Sequence, residues 1–234
     1  FESRALARSA IEAGLVRVAG AIIDKPSRMV PADATIESAR PFETVSRAGL
    51  KLKAALEKAS LDPSGMICLD LGASTGGFTD LLIQRGAARV YAVDVGHGQL
   101  HAKLLAEPRV INLEGLDARA VSVAEVPEAV DLVVADLSFI GLAKALPAGF
   151  ARLKPGGMLI ALIKPQFEAG PNAGKRGVIR DETLHTEIVT RVTGEVAVLG
   201  VEAIDIIPSP IEGGDGNREF LLMGRKKADE HERD

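Results

Sequence analysis

Tryptophan is absent from this chain, tyrosine and cysteine each occur once, and aromatic residues make up only 3% of it. Aliphatic side chains must therefore fill any core, and a hydrophobic share of 47% allows that. The lone Cys68 cannot close an intramolecular disulfide, which excludes a disulfide-stapled scaffold and fits a reducing cytoplasm. No apolar run approaches the ~18 residues of a transmembrane helix, so no membrane association is expected. No charged-then-apolar leader follows Phe1, and the lack of an initiating Met is what a fragment would show. His97, His101 and His185 have no metal-ligand spacing, and no metal site is expected.

A large excess of positive charge is also missing. The net charge is −4, which argues against a uniformly basic nucleic-acid binder. The distribution is uneven: residues 1–53 carry nine Lys/Arg against six Asp/Glu, and the rest is acidic. Any nucleic acid is then expected to meet the leading segment first.

What the chain does have is alternation. After a small leading segment, apolar runs at residues 66–71, 90–95, 110–113, 132–135, 158–163, 203–208 and 220–224 read as strands. Helical patterns fit between them at 78–86, 99–106, 142–150 and 184–199, and an amphipathic helix at 46–59 precedes them. Leu52, Ala55, Leu56 and Ala59 form the apolar stripe of that first helix, with Lys51 at its edge. Such a pattern predicts an α/β fold: a doubly wound, mainly parallel seven-stranded sheet of Rossmann-like type. In the leading segment, residues 3–13 read as a helix capped by Ser3 and ended by Gly14, and 15–18, 21–23 and 35–37 as short strands. The expected organisation is a small α+β domain over 1–40, a linker over 41–45, the main domain over 46–226 and a charged tail over 227–234 that frays.

The first strand of the main domain runs into Asp70-Leu-Gly72-Ala73-Ser74-Thr-Gly76-Gly77-Phe78. Glycine lets the backbone approach a ligand or adopt φ > 0, and the following helix aims free N–H groups at it. No Gly-Lys-Ser/Thr closes the turn, so it is not a P-loop. Ser74 stands where the dinucleotide fingerprint needs its middle glycine, which disfavours NAD. Asp94 ends the second strand, where a carboxylate can accept ribose hydroxyls, and Asp117 follows the third, where it can face an adenine amine. The set favours a nucleoside cofactor of the S-adenosylmethionine kind.

Asp136 ends the fourth strand, Lys164 the fifth, and Glu219 begins the last. A lysine placed directly after an apolar run is costly unless paired, and Asp136 and Glu219 are its expected partners. Together with Lys51 these residues resemble the Lys-Asp-Lys-Glu tetrad of FtsJ-type ribose 2′-O-methyltransferases. The segments Ser46-Arg-Ala-Gly-Leu-Lys-Leu52, Ile163-Lys-Pro-Gln-Phe-Glu168 and Pro208-Ser-Pro-Ile-Glu-Gly213, with the glycine turn, are similar to the TlyA/hemolysin A family in particular. Around residues 96–102 that family carries an aromatic residue and Asp-Trp, where this chain has His97 and His101-Ala102.

The resemblance implies an S-adenosylmethionine-dependent ribosomal RNA methyltransferase acting on a ribose 2′-hydroxyl, at cytidine. Lys51, Asp136, Lys164 and Glu219 are then catalytic, with Lys164 the general base. Asp70, Gly72, Ala73, Ser74, Gly76, Gly77, Phe78, Asp94, Asp117 and Asp136 would hold the cofactor. It also implies that residues 3–37 are an S4-type RNA-binding domain lacking its first helix. Arg4, Arg8, Arg17 and Lys25 there, with Arg176 and Arg180 after the fifth strand, are candidate phosphate contacts. The expected partner is ribosomal RNA or a ribosomal subunit, with no stable protein partner and a cytoplasmic location. The alternatives are a pore-associated hemolysin, a non-catalytic RNA-binding module and an NAD oxidoreductase.

Overall fold

Strands that are apolar along their whole length must be covered on both faces, and helices between them supply the cover. The computed structural model of the chain describes Phe1, residues 4–169 and residues 178–228. It divides into two units, Phe1–Ser46 and Arg47–Asp234.

In the first unit, α1 (Arg4–Glu12) gives way at Gly14, whose φ of 69° is cheap only without a Cβ. Ser3, the expected cap, lies outside the described residues. Strand β1 (Val16–Val18) pairs antiparallel with both β2 (Ala21–Ile22) and β3 (Ile36–Ser38). Leu6, Ala10, Val16 and Ile23 are buried, whereas Ile22, Met29 and Ile36 remain exposed, as expected of a unit too short to bury all its apolar surface.

The second unit begins with α2 (Gly49–Lys58), followed by β4 (Ile67–Leu71), α3 (Gly77–Gln84) and β5 (Arg89–Asp94). Then come α4 (Ala102–Leu105), β6 (Val110–Glu114), β7 (Val130–Ala135), α5 (Leu142–Ala151) and β8 (Leu153–Ile163). The short α6 (Pro165–Glu168), α7 (Glu182–Ala197), β9 (Val201–Pro208) and β10 (Phe220–Lys226) complete it. The sheet order is β6-β5-β4-β7-β8-β10-β9, and β10 alone runs against its neighbours. The mainly parallel seven-stranded α/β sheet expected from the sequence is therefore present.

Side chains alternate between two cores. Leu69, Leu71, Val93 and Val133 face α5 and α7 with Leu146, Ile188 and Val192. Cys68, Val90, Leu132 and Leu221 face α2 and α3 with Leu52, Leu56 and Leu82. Each such fully buried aliphatic contributes about 1.5–3 kcal/mol. The chain leaves β4 toward β5 and β6, then returns to β7 on the other side of β4. The crevice at such a reversal, at the carboxyl ends of the strands, is where α/β sheets bind ligands.

Several boundaries move for local reasons. The helix expected at 99–106 shrinks to four residues because Glu114 Oε1 takes the amides of Gln99 (2.6 Å) and Leu100 (3.0 Å), and His101 Nδ1 then caps α4. The strand expected at 220–224 extends through Arg225 and Lys226. Arg225 donates to the Gly156 carbonyl (2.7 Å), and Lys226 Nζ donates to the Leu153 carbonyl (2.7 Å).

Candidate active site

The turn after β4 is built for close approach. Gly72 has φ 84°, and a Cβ there would lie 2.6 Å from the Asp136 carbonyl oxygen. Its amide and that of Ala73 both donate to the Val93 carbonyl (2.8 and 3.0 Å). Ser74 adopts φ 49° and gives its amide to Asp94 Oδ2 (2.8 Å), while Asp94 Oδ1 accepts from Gly96 (2.7 Å). Gly76, at φ 95°, starts α3 against Leu100 and Leu104 with no room for a side chain.

Beneath this turn Asp70 is fully buried. Thr79 Oγ1 donates to its Oδ2 (2.6 Å), and Oδ1 has no hydrogen-bond partner among the described residues. Burial pushes its carboxyl up to about 7, Asp136 and Asp94 add to the rise, and the Thr79 hydroxyl opposes it. Asp117 sits at the far wall, paired side-on with Arg119 (2.6–3.2 Å), whose hydrogen bonds hold its carboxyl at about 2. Glu114 is likewise held at about 2, first by Asn112 and then by the Leu100 and Gln99 amides.

Gly72, Ser74, Asp94, Asp117 and Asp136 all line one cleft of about 860 Å³, a volume suited to a nucleoside-sized ligand. Ala73, Gly76 and Gly77 form the turn and helix start behind it. The Phe78 side chain does not reach the cleft: it is 2% exposed and belongs to the α2–α3 core.

The four expected reactive residues come together. Lys51 Nζ lies 2.6 Å from Glu219 Oε2 and 3.4 Å from Asp136 Oδ2, and Lys164 Nζ lies 2.6 Å from Asp136 Oδ1. Positive and negative charges thus alternate along Lys164–Asp136–Lys51–Glu219 and sum to zero, so the cluster can be buried without a net charge. Two expectations are corrected. Lys51 is not at the rim of α2 but 7% exposed, because α2 packs against the β10 side of the sheet. Glu219 pairs with Lys51, and Asp136 alone of the two acids pairs with Lys164. Glu219 reaches the cluster because Gly213 leaves space: a Cβ there would lie 2.7 Å from Glu219 Oε1.

Residues that the sequence reading passed over complete the surroundings. Ser138 Oγ accepts a hydrogen bond from Lys164 Nζ (3.0 Å). Phe139 is 89% exposed at φ 65°, uncommon for a bulky residue, and its ring lies 4.9 Å from that of Phe167. Glu168 Oε1 accepts from the Leu142 amide (2.8 Å) at the start of α5, tying the 137–141 loop to α6. Asn217, buried, accepts from the Ile179 amide (2.8 Å). Ser138 and Phe139 follow Asp136 in the same strand-end segment and were open to notice; nothing local distinguishes Glu168 or Asn217.

The candidate phosphate contacts among the described residues lie at the surface. Arg4, Arg8, Arg17, Lys25 and Arg180 are exposed. Arg8 pairs with Glu12 (2.7 Å) and Arg17 donates to the Gly20 carbonyl (3.1 Å). Arg176 lies outside the described residues. Among the described residues no His/Cys/Asp/Glu group is placed to hold a metal, and no helix is long and apolar enough to cross a membrane.

A doubly wound sheet with one reversed strand, a nucleoside-sized cleft at its switch point and a Lys-Asp-Lys-Glu cluster at the edge define a methyltransferase fold and site. The sequence model of the FtsJ-like methyltransferases matches residues 44–226, and the chain belongs to that family, whose cofactor is S-adenosylmethionine. Within it the chain belongs to the TlyA/hemolysin A group. It is 41% identical over 230 residues to the 16S/23S rRNA (cytidine-2′-O)-methyltransferase TlyA of Mycobacterium tuberculosis (strain ATCC 25618 / H37Rv), covering 97% of this chain and 86% of the relative. It is 38% identical over 225 residues to Hemolysin A of Brachyspira hyodysenteriae, covering 94% and 92%. The solved structure of a hemolysin-named protein from Streptococcus thermophilus superposes with a TM-score of 0.80 at 39% identity, over 97% of this chain and 84% of the other.

Proposed function

We propose that this chain transfers a methyl group from S-adenosylmethionine to a ribose 2′-hydroxyl of ribosomal RNA, at cytidine, within ribosomal subunits in the cytoplasm. The observation that carries this reading is the double role of Asp136, which lines the cofactor cleft and lies against both lysines of the buried cluster. Donor and acceptor sites therefore meet at one carboxylate.

The residues fit the cofactor. The missing Cβ at Gly72 admits a ligand against the backbone, and Asp94 keeps acceptor capacity beyond its two amide bonds for ribose hydroxyls. Asp117 and Ala118 line the same cleft and would be the residues to read an adenine edge. When bound, S-adenosylmethionine supplies a methyl group on a positively charged sulfur. The chain does the rest by holding and deprotonating. Asp136 and Ser138, which line the cleft, hold the Lys164 amine behind it, and its unprotonated form takes the hydroxyl proton as the oxygen gains the methyl. Lys51, fixed by Glu219, holds Asp136 from the other side, so the reacting oxygen meets a preset geometry.

The exposed Phe139 ring offers a base a stacking surface at the mouth of this site. The leading unit, read as S4-like, would dock RNA through Arg4, Arg8, Arg17 and Lys25, with Arg176 and Arg180 contributing from the main domain. The deciding experiment offers labelled S-adenosylmethionine with ribosomal subunits and naked ribosomal RNA, and Lys164→Ala as control. Label recovered in an alkali-resistant dinucleotide, and lost in the variant, supports the reading. Cofactor binding without transfer to any of these RNAs refutes it.

A further inference from the structure

We propose that Ser138 is a positioning residue for Lys164: its hydroxyl fixes the rotation of the lysine amine and so directs the lone pair that receives the substrate proton. This deepens, and rests on, the methyltransferase reading above.

Among the described residues Lys164 Nζ makes two close polar contacts, and they act differently. Asp136 Oδ1 is 2.6 Å from Nζ but off the hydrogen-bond axis, so it draws the amine by charge rather than through a directional bond. Ser138 Oγ, at 3.0 Å, is the aligned partner. An amine on a flexible stem rotates freely about its last bond unless a directional bond stops it. A neutral amine carries two N–H groups and one lone pair. With one N–H on Ser138 and the other turned to the Asp136 carboxylate, the lone pair is left for the substrate. The hydroxyl proton then moves from the ribose oxygen to Nζ. The oxygen–methyl bond forms as the sulfur–methyl bond breaks, and the sulfur keeps that electron pair. The ammonium produced still donates to Ser138 and faces Asp136, so neither contact is rearranged. Release of one proton to water restores the base.

Ser138 has no evident structural duty. It neither caps α5, which starts after Gly141 without a side-chain cap, nor joins either core, and it is exposed. The loop that carries it is held from both ends without it. The Asp136 amide donates to the Leu71 carbonyl (3.0 Å), and the Leu142 amide donates to Glu168 (2.8 Å). Ser138 lines the cleft, and there its hydroxyl makes an aligned bond to Lys164.

The test compares the full chain with Ser138→Ala and Ser138→Thr. Steady-state methyl transfer to ribosomal RNA, cofactor titration and NMR of 15N-labelled lysine Nζ are the readouts. In Ser138→Ala, kcat should fall about tenfold while KM for RNA and cofactor affinity stay unchanged; Ser138→Thr should recover most of the rate. The Lys164 Nζ signal should exchange its protons with water faster in Ser138→Ala and return toward the parent value in Ser138→Thr. An unchanged kcat, a raised KM at constant kcat, or a Thr variant no better than Ala overturns the proposal. If the parent chain methylates no RNA, the methyltransferase reading falls instead, and an Nζ signal indifferent to Ser138 still overturns the orienting role by itself.

Discussion

Lys51 and Glu219 stand 168 positions apart in sequence and meet at 2.6 Å inside the molecule, each almost sealed from solvent. Neither could be buried there alone. Removing one partner of such a pair leaves a charge without compensation, at a cost of about 3–5 kcal/mol. Glu219→Ala should therefore lower stability to chemical denaturation by about that amount and abolish methyl transfer. Glu219→Gln, which keeps the shape and an acceptor oxygen, should lose less stability. Equal stability of Glu219→Ala and the parent would show that the pair contributes nothing net.

Gly72 offers a sharper test of the cofactor cleft. Alanine there would place a methyl 2.6 Å from the Asp136 carbonyl oxygen at a φ of 84°. Left-handed backbone alone costs alanine about 1–2 kcal/mol, and the backbone shift needed to clear the carbonyl moves Asp136 as well. Titration with S-adenosylmethionine should show at least a tenfold loss of affinity in Gly72→Ala, with Gly156→Ala, also at positive φ but in open space, leaving affinity unchanged.

The buried Asp70 gives stability a pH dependence of definite sign. Its carboxyl titrates near 3.9 in the unfolded chain and at about 7 in the fold, so between those values the folded protein binds the extra proton. The contribution is fully present below pH ~4 and is lost as pH rises toward 7, about 4 kcal/mol in all. Glu114 and Asp117 run the other way, and their contributions fade only as pH falls from about 4 toward 2. Asp70→Asn should flatten the pH 4–7 portion of a denaturation series and leave the acid limb in place. A parent and variant with parallel curves across pH 4–7 would contradict the burial argument.

Phe139 is expected to matter for RNA and not for folding. Base stacking on an aromatic ring contributes about 1–3 kcal/mol. Phe139→Ala should thus weaken RNA binding by roughly 5- to 150-fold, measured as KM or in a direct binding assay, with thermal stability unchanged or slightly higher. Unchanged RNA affinity would remove the stacking role.

The sheet, with Asp136 and Lys164 at its strand ends, was legible from sequence because those signals are short-range; Lys51 and Glu219 joined them through the family resemblance. An apolar run ending in Asp136 or Lys164 announces both the strand and the charge at its carboxyl end. The glycine turn announces itself in the same way, since Gly72 and Gly76 do need their positive φ values. What could not be read depends on the third dimension. The burial of Lys51 follows from which face of α2 meets the sheet, and the α2 stripe alone put it at an edge. Its preference for Glu219 follows from strand register. The core position of Phe78 is decided by the first turn of α3, where an aromatic next to a ligand loop reads equally well as wall or as filling. Glu168 matters only because α6 happens to end beside the first amide of α5.

One reversed strand makes the cluster possible. In the antiparallel ladder Phe220 lies opposite Ile163, so the first residues of β10 adjoin the last of β8, and Glu219 arrives beside the end that carries Lys164. A strand of this length running the other way would carry its first residue to the opposite rim, about 20 Å off. The cluster is consequently completed last in chain order. Lys51 emerges early from the ribosome and its counter-charge only after β9 has been made, so a nascent chain that has folded as far as β8 holds a half-built, charge-unbalanced pocket. Completion of the sheet at β10 is therefore also completion of the charge balance around Lys51.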